Sequence, residues 1–598
     1  MDPASPADPP RSPGDGVSTA NAIRTFSAKK DGNNVAWRGI QDLWERRLLC
    51  DTTLIAEGER FQVHRCYLAS CSEYFCTMFT GSFRESTEDE VPMPGLTQVG
   101  LNAILTYIYT GKVEITQETL TDILDASSHL QVTDVKEFCG EYLGSVITLE
   151  NCIQYHDLAE LYGLTVVKII AINFMLNNFE SVVQREELSV DLLSYLLASN
   201  QLQTESEFHV FKGVMTWLNQ LPGRHEYAER VLKQIRFWLF TPEEMREVYS
   251  DENCDIMMQD SCRHILRDAL NYHMNVFKQP IINTYEALPR SHVDALILFG
   301  EKGVVPMGET ARIFLGNVHE FTSIASPTSS KGAAIAVIRN FIFVVGGEKN
   351  PKSAFRYNAT DGKWMQLASM ETPRYDYALA ALSDSLMAVG GADSSKLSSC
   401  TDLVEQYSFN ENKWFQTQKL DRSLHKHAAC TIGDRVYVSG GGYHTEGKPY
   451  ITKEMRCFDV KTRVWQVKSP MNQARTFHSM VTYNSNIYVC GGGASTQNCV
   501  ANIMHTEMYN VEQDQWTILA PIGHCAVKAG AAHHRNFLFI LGGIDWNNKQ
   551  SPNSIIQRYD LDKNKWSVLK TKLTQTNVAL IASSIKLPYD TFNLIFYS

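Results

Sequence analysis

The chain has 598 residues, 44% of them apolar and 20% charged, with a formal net charge of −11. That length exceeds a single core and predicts three or four domains. The acidic balance argues against a nucleic-acid binder driven by phosphate neutralisation, and no apolar run is long enough to span a bilayer.

Residues 1–30 are rich in Pro, Ser, Asp and Gly and are predicted to be disordered. No apolar signal core follows Met1-Asp2-Pro3, so an intracellular protein is expected, in the cytoplasm and with the nucleus or cytoskeleton as further addresses. Its 14 cysteines, with no CxxC pair, then read as reduced thiols. A helix is predicted from Asn34 through Ile40, Leu43 and Trp44 toward Leu48. Two strands follow, at Cys50–Ala56 and Arg60–Val63, joined by a turn at Glu57-Gly58-Glu59. Tyr67-Leu68, Tyr74-Phe75 and Met78-Phe79 have the spacing of a helical hairpin, with Ser72 as a cap and Gly81 as a stop. Leu101, Ile104, Leu105 and Ile108 mark one buried helix face, which Gly111 ends.

Cys50-Asp51-Thr52-Thr53-Leu54, His64-Arg65, Tyr74-Phe75, Met78-Phe79-Thr80-Gly81 and Tyr107-Ile108-Tyr109-Thr110-Gly111 resemble the signature of an α/β BTB/POZ domain, here residues 31–145. The resemblance implies a homodimer made by the N-terminal helix and first strand, with Leu43, Trp44 and Leu48 in the contact. It also implies structural roles for Asp51, His64 and Arg65.

Residues 146–278 read as helical throughout, with apolar runs such as Leu158-Ala159-Glu160-Leu161-Tyr162 and Val214-Met215-Thr216-Trp217-Leu218. They resemble the all-α BACK domain. Residues 279–292, with Pro280 and Pro289, are predicted to be a linker.

From residue 293 the pattern changes. A Gly pair closes an apolar run, an aromatic follows, and a Trp comes seven residues after the aromatic. The copies are Gly346-Gly347/Tyr357/Trp364, Gly390-Gly391/Tyr407/Trp414, Gly440-Gly441/Phe458/Trp465, Gly491-Gly492/Tyr509/Trp516 and Gly542-Gly543/Tyr559/Trp566. A weaker sixth has Gly300-Glu301, Phe314 and Phe321. A period of about 50 residues with these landmarks resembles the kelch repeat. Residues 293–598 are therefore expected to form an all-β six-bladed propeller. Its first blade lacks an innermost strand, and Asn577–Ala582 is predicted to supply it and close the ring. The apolar tail Asn593–Ser598 has no assigned role.

The order BTB, BACK, kelch resembles the kelch-like substrate adaptors of cullin-3 ubiquitin ligases. That resemblance implies cullin-3 contact through Phe83-Arg84-Glu85, an apolar anchor beside a carboxylate. For the propeller, rim loops rich in cations and aromatics are expected to form the substrate-binding mouth. The candidates are Lys331, Arg374, Tyr375, Arg422, His425, Tyr443, His444, Arg475, Phe477, His478, Lys528 and Trp546. Such a ring suits an acidic or phosphorylated protein segment. The rival reading is a scaffold that binds actin or another cytoskeletal protein without degradation.

No cofactor or metal is expected. Cys66, Cys71 and Cys76 are five apart near His64, on drifting helical faces, and His533-His534 should point to opposite faces of a strand. Cys71 or Cys139 would need a basic neighbour to act as a redox thiol. No nucleotide loop, Ser-His-Asp order or HExxH occurs, so the chain is expected to be non-catalytic, with no nucleic-acid or membrane partner.

Overall fold

A computed structural model describes residues 23–27, 35–250, 254–282, 284–290, 292–302, 310–315, 318–325, 331–359, 362–393, 400–446, 448–496, 499–534, 536–548, 551–573 and 577–588. Two compact units result, Met1–Ser189 and Val190–Ser598. The division falls within the helical region rather than at either of its expected ends. Among the described residues no helix is long and apolar enough to cross a membrane.

In the first unit, strand Thr52–Ala56 pairs antiparallel with Glu59–Val63 and parallel with Glu90–Pro92. Its alternation buries Thr52, Leu54 and Ala56 against the helices. Helix Gln98–Thr110 buries Leu101, Ile104, Leu105 and Ile108, as the spacing predicts, and ends at Gly111 in the left-handed region. Ser72 caps helix Glu73–Thr80 by accepting from the Phe75 backbone N–H.

One expectation fails here. The stretch expected to be disordered through residue 30 contains a strand, Arg24–Ser27, paired antiparallel with Lys112–Ile115. Phe26 stacks on Phe138 at 5.3 Å, so the segment has an apolar anchor that its polar composition hides. The rest of that expectation, residues 1–22 and 28–30, lies outside the described residues.

The second unit opens with helices that include Val190–Ala198, Glu207–Gln220 and Asp260–Met274. Among its described residues the expected linker carries no α-helix, but it is fastened at both ends. Arg290 pairs with Glu207 at 2.5 Å with both side chains buried. Arg356, in the propeller, donates to the Val276 carbonyl at 2.5 Å and to Gln279 Oε1 at 3.2 Å. Phe277 and Ile281 pack on the core of the same blade.

The propeller consists of six four-stranded antiparallel sheets. Blades one to six are numbered here by their repeats, from His292 onward. Strand Asn577–Pro588 pairs with His292–Lys302 and so completes blade one. The innermost strands touch in a closed cycle, from Ala334–Ile338 round to Gly530–His534, then Asn577–Pro588, and back to Ala334–Ile338. The ring therefore closes between the two chain ends, as predicted. The tail 593–598 lies outside the described residues.

The repeat signature has a direct structural cause. A spacing of seven places each aromatic opposite its Trp across the outer hairpin, as in Tyr407↔Trp414 and Tyr509↔Trp516, with ring centroids 5.2 and 5.1 Å apart. The indole N–H then crosses to the preceding blade. Trp414 donates to the Ala368 carbonyl at 2.8 Å and Trp516 to the Ser469 carbonyl at 2.7 Å. The Gly pair has a similar interblade task. Gly391 N–H donates to the Leu424 carbonyl of the next blade at 2.7 Å, and a Cβ on Gly390 would sit 2.6 Å from that oxygen. Both residues have positive φ, 59° and 110°, so glycine is required twice over.

Candidate functional site: the propeller mouth and the BTB loop

Among the described residues, the runs into five of the six innermost strands each carry one residue in the left-handed region: Gly332, Asp376, Lys426, Phe477 and Lys528. Successive members are hydrogen-bonded into a belt. Asp376 N–H donates to the Gly332 carbonyl at 2.9 Å, Lys426 to Asp376 at 2.8 Å, Phe477 to Lys426 at 2.9 Å and Lys528 to Phe477 at 3.0 Å. The five residues line a channel of about 260 Å³. Both lysine ammonium groups lie over the Phe477 ring, at 5.0 Å for Lys426 and 4.1 Å for Lys528. Burial raises the carboxyl of Asp376 above its ordinary value, against the pull of Lys528 and Lys426. Trp546 meets Phe477 edge-on at 6.1 Å. Phe477, Lys528 and Trp546 thus come together as the sequence suggested. Lys426, in the rim run His425-Lys426-His427, joins the group, and Asp376, an acidic residue among rim loops read for their cations and aromatics, completes it.

A second cluster sits where blades three and four meet. Arg422 lies over the Tyr443 ring at 5.2 Å and 3.4 Å from Glu454. Tyr443 stacks on Tyr450 at 5.6 Å. His425 and His444 stack at 5.6 Å beside Cys400. Lys331 is paired with Glu348 at 2.9 Å, and the half-buried Tyr375 is tied by its backbone to Ala392.

Arg374, Arg475 and His478 require correction as rim contacts, because all three side chains are buried. Both arginines are fully buried. Arg374 Nη2 pairs with Glu405 Oε1 at 2.6 Å, and its Nη1 donates to the Gly390 and Leu403 carbonyls at 2.9 and 3.0 Å. Arg475 repeats the arrangement with Glu507 and the Gly491 and His505 carbonyls. The reason is local: each Arg stands two residues before the belt and reaches between strands of its own blade. Blades four and six carry a different pair at these positions. Where Leu424 replaces the Arg, Arg456 replaces the Glu and pairs instead with Asp421 at 2.7 Å. Where Ala526 replaces it, Gln557 stands in for the Glu and bonds the His524 backbone at 2.8 and 3.0 Å. His478 is buried against Ser439 Oγ at 2.8 Å, and burial, with Arg475 nearby, holds its imidazole well below the ordinary value.

In the first unit, Phe83 is 55% exposed and caps a 3-10 turn, Arg84–Ser86. A Cβ on Gly81 would lie 2.7 Å from its ring, so the glycine makes room for it. Arg65 holds the turn from beneath by donating to the Glu85, Ser86 and Glu88 carbonyls. Arg84 pairs with Glu88, which leaves the partly exposed Glu85 carboxylate outside that ion pair. Asp51 accepts from the Arg65 backbone N–H at 2.8 Å, and His64 bonds Tyr109 and the Leu48 carbonyl. Leu43 is half-buried, Trp44 stacks on Tyr109 at 4.4 Å, and Leu48 is 49% exposed.

Family models match three stretches: the BTB/POZ domain at residues 40–146, BTB And C-terminal Kelch at 152–250, and the Attractin/LZTR1 beta-propeller at 342–596. Kelch-like protein 26 of Danio rerio is 31% identical over 562 residues, covering 91% of each chain. The chain belongs to the kelch-like family. Kelch-like protein 36 of Rattus norvegicus is 31% identical over 571 residues, covering 91% of this chain and 92% of the relative. Kelch-like protein 15 of Homo sapiens is 29% identical over 566 residues, covering 88% and 91%.

Two thiol expectations can be placed on this kelch-like fold. Cys139 is buried and its thiol is pushed up to about 12, so it is not a reactive thiolate. Cys66, Cys71 and Cys76 do not converge. Among the described residues, the one group of three metal-ligating side chains is Cys400, His425 and His444.

Proposed function

We propose that this kelch-like chain is the substrate adaptor of a cullin-3 RING ubiquitin ligase. The BTB unit dimerises through Leu43, Trp44, Leu48 and the neighbouring Leu49 and docks cullin-3 with Phe83 and Glu85. The propeller mouth holds an acidic or phosphorylated segment of a protein guest, with Lys426, Lys528, Phe477 and Trp546 as its contact set. The chain has no chemistry of its own to perform in this reading, because transfer of ubiquitin follows from holding guest and ligase together. A dimer presents two mouths, so a guest with two motifs gains avidity.

The observation that carries the proposal is Phe83, a large aromatic 55% exposed on a turn that Arg65 pins in place. An exposed ring held in one position costs little to order on binding, which is the profile of an interface anchor. The mouth adds two ammonium groups over one aromatic ring, near the Asp376 carboxyl, which burial raises above its ordinary value. Co-purification of cullin-3 from cells with wild type and with Phe83→Ala/Glu85→Ala tests the reading. Capture by wild type and loss in the variant support it. No capture by wild type transfers the case to the scaffold that binds a cytoskeletal protein without degradation.

A further inference from the structure

At the rim between blades three and four, three side chains from three separate loops converge. Cys400 precedes the third strand of blade three, His425 lies on the run into blade four, and His444 belongs to the hairpin Gly442–Thr445/Lys448–Ile451. Cys400 Sγ is 2.9 Å from His425 Nδ1 and 3.5 Å from His444 Nδ1. One ligand atom from each residue lies within 4.8 Å of the other two. The backbone fixes this meeting. His425 N–H donates to the Gly442 carbonyl at 3.0 Å, Gly442 N–H returns a bond at 2.8 Å, and Cys400 bridges to Ala392. Gly442 leaves space for the His425 ring, since a Cβ there would sit 2.9 Å from Cε1.

We propose that Cys400, His425 and His444 form a zinc site. Zinc takes one thiolate at about 2.3 Å and imidazole nitrogens at about 2.0–2.1 Å, which in a tetrahedron puts sulfur and nitrogen roughly 3.5 Å apart. The Cys400–His444 separation already has that value, and the Cys400–His425 separation needs to open by about half an ångström. Hydrogen bonding alone serves this cluster poorly. A thiol is a weak donor with one proton and a weak acceptor, yet two imidazole Nδ1 atoms face the same sulfur. A cation satisfies all three lone pairs at once. Binding forms one Zn–S and two Zn–N bonds and releases the Cys400 thiol proton to solvent. The fourth position goes to water or to a carboxylate of a bound guest. Sequence reading misses the site because its ligands are spread over three loops with no zinc spacing.

The test uses the full chain, purified without a histidine tag and stripped by a chelator. Zinc is titrated against a chromophoric competitor, and cobalt is added in a parallel experiment. The expected result is one tight zinc per wild-type chain and a tetrahedral cobalt spectrum with a thiolate charge-transfer band. Cys400→Ser and His444→Ala should each weaken that equivalent by more than the roughly tenfold to hundredfold cost of losing a mere supporting contact. His444 is exposed, so its variant should keep the wild-type melting curve of the stripped protein and separate ligation from folding. Equal zinc affinity in wild type and both variants, or a cobalt spectrum without the thiolate band, overturns the proposal.

Discussion

Replacing Glu507 by Gln isolates what the buried arginines do. The Arg475 and Glu507 side chains are 0% and 1% exposed. Removing one charge from such a pair leaves the other in a low dielectric, at a cost of about 3–5 kcal/mol. Arg475 keeps its bonds to the Gly491 and His505 carbonyls, and Gln can still accept from Asn472 N–H, now bonded at 2.7 Å. The loss should therefore fall near the lower end, about 3 kcal/mol. The double variant Arg475→Ala/Glu507→Gln reproduces the Ala526/Gln557 combination that blade six already uses, and should recover more than half of that loss. Equilibrium urea unfolding of the full chain, followed by tryptophan fluorescence, reads both. A Glu507→Gln cost below about 1 kcal/mol, or a double variant as destabilised as the two single losses summed, would refute the reasoning.

Three further outcomes are expected. Deleting residues 577–598 removes the strand that pairs with His292–Lys302, and the propeller should lose its cooperative melting transition in calorimetry. His478 stays neutral when folded but takes up a proton near pH 6.5 when unfolded. The unfolded state then binds more protons below that pH, and stability falls as pH drops by about 1.4 kcal/mol per pH unit for this site. His478→Gln should flatten that fall between about pH 6.5 and 5 in denaturation measured across pH. Lys528→Glu places a carboxylate over Phe477, and should abolish capture of acidic guests in proximity labelling while leaving the melting temperature unchanged.

The propeller was legible because its landmarks are forced. The Gly pair answers a crowded interblade contact, and the seven-residue spacing puts aromatic opposite Trp. Ring closure was legible from a first repeat that lacked its inner strand. The mouth was less so. Arg374 and Arg475 stand in rim loops and are basic, which the sequence shows, but their depth depends on the belt residue two places later. The useful signal lay in the repeats themselves: Arg occurs with Glu405 or Glu507 and disappears where Arg456 or Gln557 stands instead. Phe26 shows the opposite case, a single aromatic that orders a polar segment by stacking on Phe138, far away in sequence.

Calorimetric titration of the cullin-3 N-terminal region into the purified full chain tests the adaptor reading most directly. The account predicts saturable binding by wild type, about 30-fold or greater weakening by Phe83→Ala, the loss of an anchor worth about 2 kcal/mol or more, and unchanged binding by Lys528→Glu. Absence of binding by wild type, or equal affinity for Phe83→Ala, would contradict it.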